Sequence, residues 1–208
     1  TRDLAILGQV FQNESRAAEV SAYYQERAAQ IQQITSAVET RPRVLMLYYS
    51  DKDGAMAFNV PPLGWMQTQM VQLAGGDPAW AEANPSNGWT QVTLEQIAAW
   101  DAEQIFIISY TADPAEVVAG LQNDPNWQAL RAVQGNQIYA FPADLYSWDQ
   151  PDTRWILGLT WLAGRLHPAL FPELDIVAEA QSFYQALYGL DAGFFEQNIL
   201  PTFKGDLP

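Results

Sequence analysis

Residues 92–109 read VTLEQIAAWDAEQIFIIS, and two unlike patterns meet in them. Thr93 stands three residues before Gln96, the spacing of a capping box, and Leu94, Ile97 and Ala98 follow at helical intervals, so a helix begins at Thr93. From Gln104 to Ser109 the chain becomes a short apolar run rich in isoleucine, as in a strand covered on both faces. A helix that delivers the chain into a doubly buried strand is the unit from which parallel α/β sheets are built.

Working outward, the same unit recurs. Arg43–Ser50 (RVLMLYYS) is a second buried strand and Gln137–Phe141 (QIYAF) a third. Between the first two, a loop holds Asp53-Gly54 and Pro61-Pro62; then Leu63, Met66, Met70, Leu73 and Ala74 form a helical stripe stopped by Gly75-Gly76. Asp113-Pro114 opens a helix with a cap and a proline at its first position, and Pro125-Asn126-Trp127 starts a shorter one. Upstream, apolar residues spaced three and four apart from Ala17 to Val38 predict one long helix, capped by Asn13 with Glu14 in its first turn. After Pro151 the chain is helical in three pieces punctuated by Pro168, Pro172, Gly189 and Pro201. The pattern predicts an α/β fold: a three-layer sandwich with a parallel sheet covered by helices, preceded by a long N-terminal helix.

Composition bounds the function. The chain has 208 residues, 49% hydrophobic, enough for a full core. With 24 acidic against 10 basic side chains it carries a formal charge of −14, which opposes nucleic acid and anionic membrane surfaces. No cysteine and a single histidine, His167, exclude disulfides, thiolate sites and multi-histidine zinc centres, so no cofactor or metal site of its own is expected. No stretch approaches the roughly 20 apolar residues of a membrane span. The opening Thr1-Arg2-Asp3 resembles neither a basic leader nor an apolar segment and reads as cut from something longer.

In parallel α/β sheets ligands collect where strands give way to helices. Those loops are Tyr48-Tyr49-Ser50-Asp51, Tyr110-Thr111-Ala112 and Tyr146-Ser147-Trp148-Asp149, each carrying an aromatic residue. Trp65 joins them from the first turn of the helix after the first strand, off the Leu63/Met66/Met70 stripe. Each of these aromatics has a plain packing alternative, and Met66 and Met70 read as core. Glu95 points outward from a first helical turn, either to favour the helix dipole or to be read by a partner. Arg154, near a helix start where a cation is unfavourable, pairs with Asp149 or Asp152 or meets an anionic ligand. His167-Pro168 reads as a helix end. No nucleophile elbow, Walker-type loop, HExxH or GxGxxG is present, so nothing argues for an enzyme.

The segments LAGGDPAW (73–80), VTLEQIAAWDAEQIFIIS, LRAVQGNQIYAFP (130–142) and SWDQPDTRWILGLTWLAGRLHPALFP (147–172), in this order behind a long helix, resemble the C-terminal lobe of class III periplasmic substrate-binding proteins. These serve ABC importers for siderophores, haem, vitamin B12 and related metal chelates or metal oxyanions. The resemblance implies that residues 1–12 are a remnant of a missing first lobe, 13–40 the inter-lobe helix and 41–208 the ligand-binding lobe. It implies an extracytoplasmic place, in the periplasm or anchored at the outer face of the cytoplasmic membrane, without membrane insertion by this segment. Ligand would lie against Tyr49, Ser50, Trp65, Tyr110, Trp148 and Arg154, and Glu95 would dock with arginines of the permease subunits. The alternatives are an α/β enzyme acting on a metal chelate or tetrapyrrole, with His167 and nearby carboxylates as acid and base, and a self-associating module.

Overall fold

A computed structural model describes residues 2–51 and 54–207; Asp53 of the expected Asp53-Gly54 loop lies outside them. Six strands form one sheet: β1 (Arg43–Ser50), β2 (Ala57–Val60), β3 (Asp77–Pro78), β4 (Thr90–Val92), β5 (Gln104–Ser109) and β6 (Ile138–Ala140). Their order is β4-β2-β1-β5-β6, with β3 beside the start of β1. β1, β3, β5 and β6 run parallel, the central register pairing Met46 with Phe106 and Tyr48 with Ile108. The expected parallel sheet also carries an antiparallel edge, because β2 pairs antiparallel with both β1 and β4. β2 and β4 are only four and three residues long and half covered, so no apolar run marks them.

The helices are α1 (Arg2–Val10), α2 (Glu14–Thr35), α3 (Met66–Leu73), α4 (Leu94–Trp100), α5 (Pro114–Asn123), α6 (Arg131–Gln134), α7 (Trp155–Leu166), α8 (Ile176–Tyr188) and α9 (Ala192–Phe194). Short helical turns continue from α9 through residue 202. None of the described helices is long and apolar enough to cross a membrane. Several starts follow the expected chemistry. Thr93 and Gln96 form the reciprocal capping box at 3.3 and 2.9 Å, and Asp113 accepts from the Ala115 N–H at 2.9 Å ahead of Pro114. Asn13 caps α2, which ends at Thr35 rather than Val38. α3 begins at Met66, leaving Leu63 47% exposed instead of on a buried stripe. It closes with the Gly76 N–H on the Val71 carbonyl and the Gly75 N–H on that of Gln72, a Schellman end that needs glycine at Gly75, where φ is +83°.

Val44 to Leu47 and Ile105 to Ile108 are buried and form the middle of the core. Side chains alternate across a strand, so the two faces of β1 meet different layers. On one, Phe106, the register partner of Met46, packs edge-on against Trp161 of α7. On the other, Tyr49 meets Phe58, which meets Trp127 below α5. α2 lies across α3 and α7. It is held there by an Arg27–Glu179 ion pair at 2.6 Å, by Arg16 donating to the Ala186 carbonyl at 2.6 Å and by the Tyr24 hydroxyl donating to the Thr153 carbonyl at 2.7 Å.

Candidate functional site

The site grows from the turns where β1 and β5 end. Tyr110, directly after β5, stacks on Tyr48 with ring centroids 4.7 Å apart; Tyr48 touches Trp89 at 5.1 Å, and Trp89 meets Trp65 edge-on at 5.6 Å. Trp65 is the N-cap of α3 and makes no side-chain capping bond. A residue that forgoes a cap worth about 1 kcal/mol is placed there for its ring and not for the helix. Across from this row stands Trp155, first residue of α7, stacked on Tyr24 of α2 at 5.5 Å. Together they enclose a cleft of about 770 Å³, lined by Gly64, Trp65, Met66, Gln67, Gln69, Met70, Leu73, Trp89, Tyr110, Gln150, Pro151 and Trp155. Among the described residues no charged side chain lines it. A neighbouring depression of about 510 Å³ shares Met66, Pro151 and Trp155 and runs along α2 past Tyr24, Gln25 and Ala28.

Beneath the cleft lies Asp149, wholly buried. Its carboxylate accepts from Gln67 Nε2 at 2.9 Å, from the Tyr110 hydroxyl at 2.7 Å and from the Ser147 hydroxyl at 2.6 Å. Among the described residues no cation pairs with it. Burial pushes its pKa up, against the pull of those three donors. Burial also pushes the Tyr110 hydroxyl far above the ordinary tyrosine range, with the charge of Asp149 adding to it, so Tyr110 stays a neutral donor. The loop that carries Asp149 is fixed by a second buried carboxylate, Asp144. It accepts from Arg154 Nε at 2.7 Å, Tyr184 Oη at 2.6 Å, Trp148 Nε1 at 3.1 Å and the Tyr146 N–H at 3.1 Å. α7 presses so closely on this loop that a Cβ at Gly158 would collide with the Trp148 carbonyl oxygen.

Of the residues expected to face ligand, the structure brings Trp65 and Tyr110 together in the cleft. Tyr49 and Ser50 lie outside the lining; Tyr49 is on the opposite face of the sheet against Phe58, and its neighbour Tyr48 backs the cleft instead. Trp148 is corrected: it has no exposed surface, and its ring packs edge-on against Phe203. Arg154 takes the pairing alternative and not the ligand one: Asp152, one of its two expected partners, lies at 3.5 Å and Asp144 at 2.7 Å, while Asp149 does not pair with it. Met66 and Met70, expected as core, both touch the cleft, although Met70 is only 1% exposed. Glu95 is fully exposed on the first turn of α4, its carboxyl held below the usual range by the Thr93 hydroxyl and its own N–H. His167 follows the last residue of α7, about 18 Å along the helix from Trp155. Its Nε2 is buried without a partner beside Gly75. The geometry that acid–base chemistry by His167 requires, a place in the loop-end pocket, is not met.

Sequence reasoning missed Gln67, Trp89, Gln150 and Trp155. Trp89 enters from the antiparallel edge, which had no sequence signal. Gln67 stands two residues after Trp65 and is buried beside Thr68, Met70 and Val71, so no apolar stripe in the sequence marks it as a cleft residue.

A family model described as periplasmic binding protein matches residues 1–145. The molybdate-binding protein MolA of Haemophilus influenzae is 28% identical over 74 residues, 35% of this chain and 21% of its own length. An ABC transporter solute binding protein from Sulfurospirillum deleyianum superposes with a TM-score of 0.75 at 25% identity, covering 91% of this chain and 57% of that one. A periplasmic solute binding protein from Veillonella parvula gives 0.73 at 23% identity, covering 91% and 56%. The chain therefore spans little more than half the length of the solved structures it resembles.

Proposed function

The chain belongs to the periplasmic binding protein family, and from that premise we propose that it is the C-terminal, ligand-binding lobe of an extracytoplasmic receptor that hands a metal chelate to an ABC importer. In this reading residues 41–208 form the lobe, 13–40 the helix joining it to a first lobe, and 1–12 the end of that lobe. Binding, not turnover, is the function. The observation that carries the reading is the uncharged aromatic cleft at the strand ends, open along α2. A wall of indole and phenol rings suits a large flat or greasy solute, whose burial is favoured by roughly 25 cal/mol per Å² of apolar surface. Two further features fit. Ile6, Leu7, Val10 and Phe11 leave α1 and its end with an exposed apolar row, Phe11 73% exposed, as an element beside a second lobe would have. Glu95 remains ionised and unpaired by any cation of the described residues, as a contact for permease arginines requires.

A metal oxyanion is the second reading, favoured by the molybdate-binding relative. Calorimetry and tryptophan fluorescence of the 208-residue chain, alone and joined to an upstream α/β lobe, against haem, ferric siderophores, cobalamin, molybdate and tungstate distinguish the two. A chelate is expected to bind and to quench the cleft tryptophans, with Trp65→Ala and Trp155→Ala each weakening it. Silence across the whole panel in the two-lobe form would overturn the reading.

A further inference from the structure

We infer that this cleft takes the electropositive, hydrogen-bond-donating side of its ligand, a flat organic cation or an N–H or O–H group, and disfavours an anion. The inference rests on the cleft being the ligand site, as proposed above, and adds the sign of what enters it. Three observations carry it. Trp65, Trp89, Trp155 and Tyr110 line the cleft, and aromatic rings carry negative faces that attract cations. Asp149 lies under them with three neutral donors and no cation of the described residues. The one arginine on the neighbouring turn, Arg154, is already paired with Asp144 and Asp152.

Hydrogen-bond inventory sharpens the sign. An ionised carboxylate only accepts, so one Gln67 amide N–H and the Tyr110 O–H are committed to Asp149. What they have left toward a ligand is the Gln67 carbonyl oxygen, a Tyr110 lone pair and the second Gln67 amide N–H, two acceptors against one donor. Gln150 offers donors and acceptors alike and sets no sign. One feature opposes the inference: the uncapped N-terminus of α3 opens onto the same cleft, with its free N–H groups and a positive dipole end. That end amounts to about half a unit charge, whereas Asp149, bonded to the second residue of the helix, supplies a full one. The floor of the cleft is thus net negative while Asp149 is ionised.

The test uses a pair of flat bicyclic probes of opposite sign, N-methylquinolinium and 2-naphthoate, with molybdate as a small anion, titrated by calorimetry into the 208-residue chain at pH 8. The quinolinium is expected to bind about tenfold tighter than the naphthoate, with molybdate weaker still. Asp149→Asn keeps an oxygen for Gln67 and Tyr110 and can donate to Ser147, so it should fold; it is expected to shrink the preference to about threefold or less by removing the charge. Tyr110→Phe, which keeps the ring and loses the acceptor, gives an independent check, and circular dichroism of both variants separates lost binding from lost fold. Equal binding of the two probes, or tighter binding of naphthoate or molybdate, would overturn the inference while leaving the cleft as a ligand site. Binding of neither probe would overturn the inference, and the cleft as a ligand site then stands or falls on the two-lobe panel above.

Discussion

Arg154→Met is the substitution whose cost follows most directly from the structure. Arg154 Nε reaches Asp144 Oδ1 at 2.7 Å, the side chains being 11% and 0% exposed, so methionine would leave a buried carboxylate facing only Trp148, Tyr184 and one backbone N–H. Removing one partner of such a pair costs about 3–5 kcal/mol, because the charge left behind is desolvated and uncompensated. The 3.5 Å contact to Asp152, which is 30% exposed on its side chain, adds under about 1 kcal/mol. For a chain of this size the melting temperature should fall by about 10 °C or somewhat more. The control is Asp144→Asn combined with Arg154→Met. With neither charge present the double variant should be more stable than Arg154→Met alone by about 1–2 kcal/mol, although the second change also gives up an acceptor. Urea denaturation and calorimetric melting of the four proteins close the cycle. A loss under about 1 kcal/mol for Arg154→Met, or a double variant that is simply the sum of the two, would refute the reasoning.

Three further outcomes are expected. Asp149 has its pKa raised by burial, so between the ordinary aspartate value and the raised one the unfolded chain has released its proton while the folded chain still holds it. Stability contributed by this group therefore falls as pH rises through that window; Asp152 acts in the same sense, Tyr110 stays protonated and Arg154 charged. Urea midpoints from pH 4 to 8 should show Asp149→Asn declining less than the parent, and affinity for N-methylquinolinium should rise over the same interval. Gly158→Ala should destabilise by about 1–3 kcal/mol, since the obstructing atom is backbone and cannot rotate away, as thermal melting would show. Glu95→Lys should leave ligand affinity and melting temperature unchanged while uptake by the assembled importer drops, measured with labelled ligand in cells.

The sequence announced the frame where its physics is local. β1 and β5 are continuous apolar runs, and the caps at Asn13, Thr93 and Asp113 are residue types with one ready use. β2 and β4 escaped because three or four half-covered residues produce no periodicity. The site was legible by location but not by face. Both sides of β1 are covered, so no polar alternation tells Tyr48 from Tyr49, and the choice depends on which helices cover which side. Trp148 and Trp155 pose the same difficulty within one turn: the first is drawn inward by Asp144 and Gly158, the second outward onto Tyr24. The Asp149 cluster unites residues 67, 110, 147 and 149 from three segments, and no spacing in the chain foretells it.

The fastening of α2 to the body of the lobe has a mechanical consequence. Tyr24 lies eleven residues before Thr35, the C-terminal end of α2, or about 16 Å along the axis. Thr35 is itself pinned by its hydroxyl donating to the Leu73 carbonyl at 2.9 Å. Arg16 and Arg27 tie the helix to α8 as well, but a tilt of about 5° about the Thr35 end, with those ties yielding, displaces Tyr24 by roughly 1.4 Å. The stack on Trp155 and the bond to Thr153 pass that displacement straight into one wall of the cleft. Load applied far from the pocket, anywhere along the first half of the helix, thereby changes the gap between Trp155 and the facing Trp65–Trp89 row.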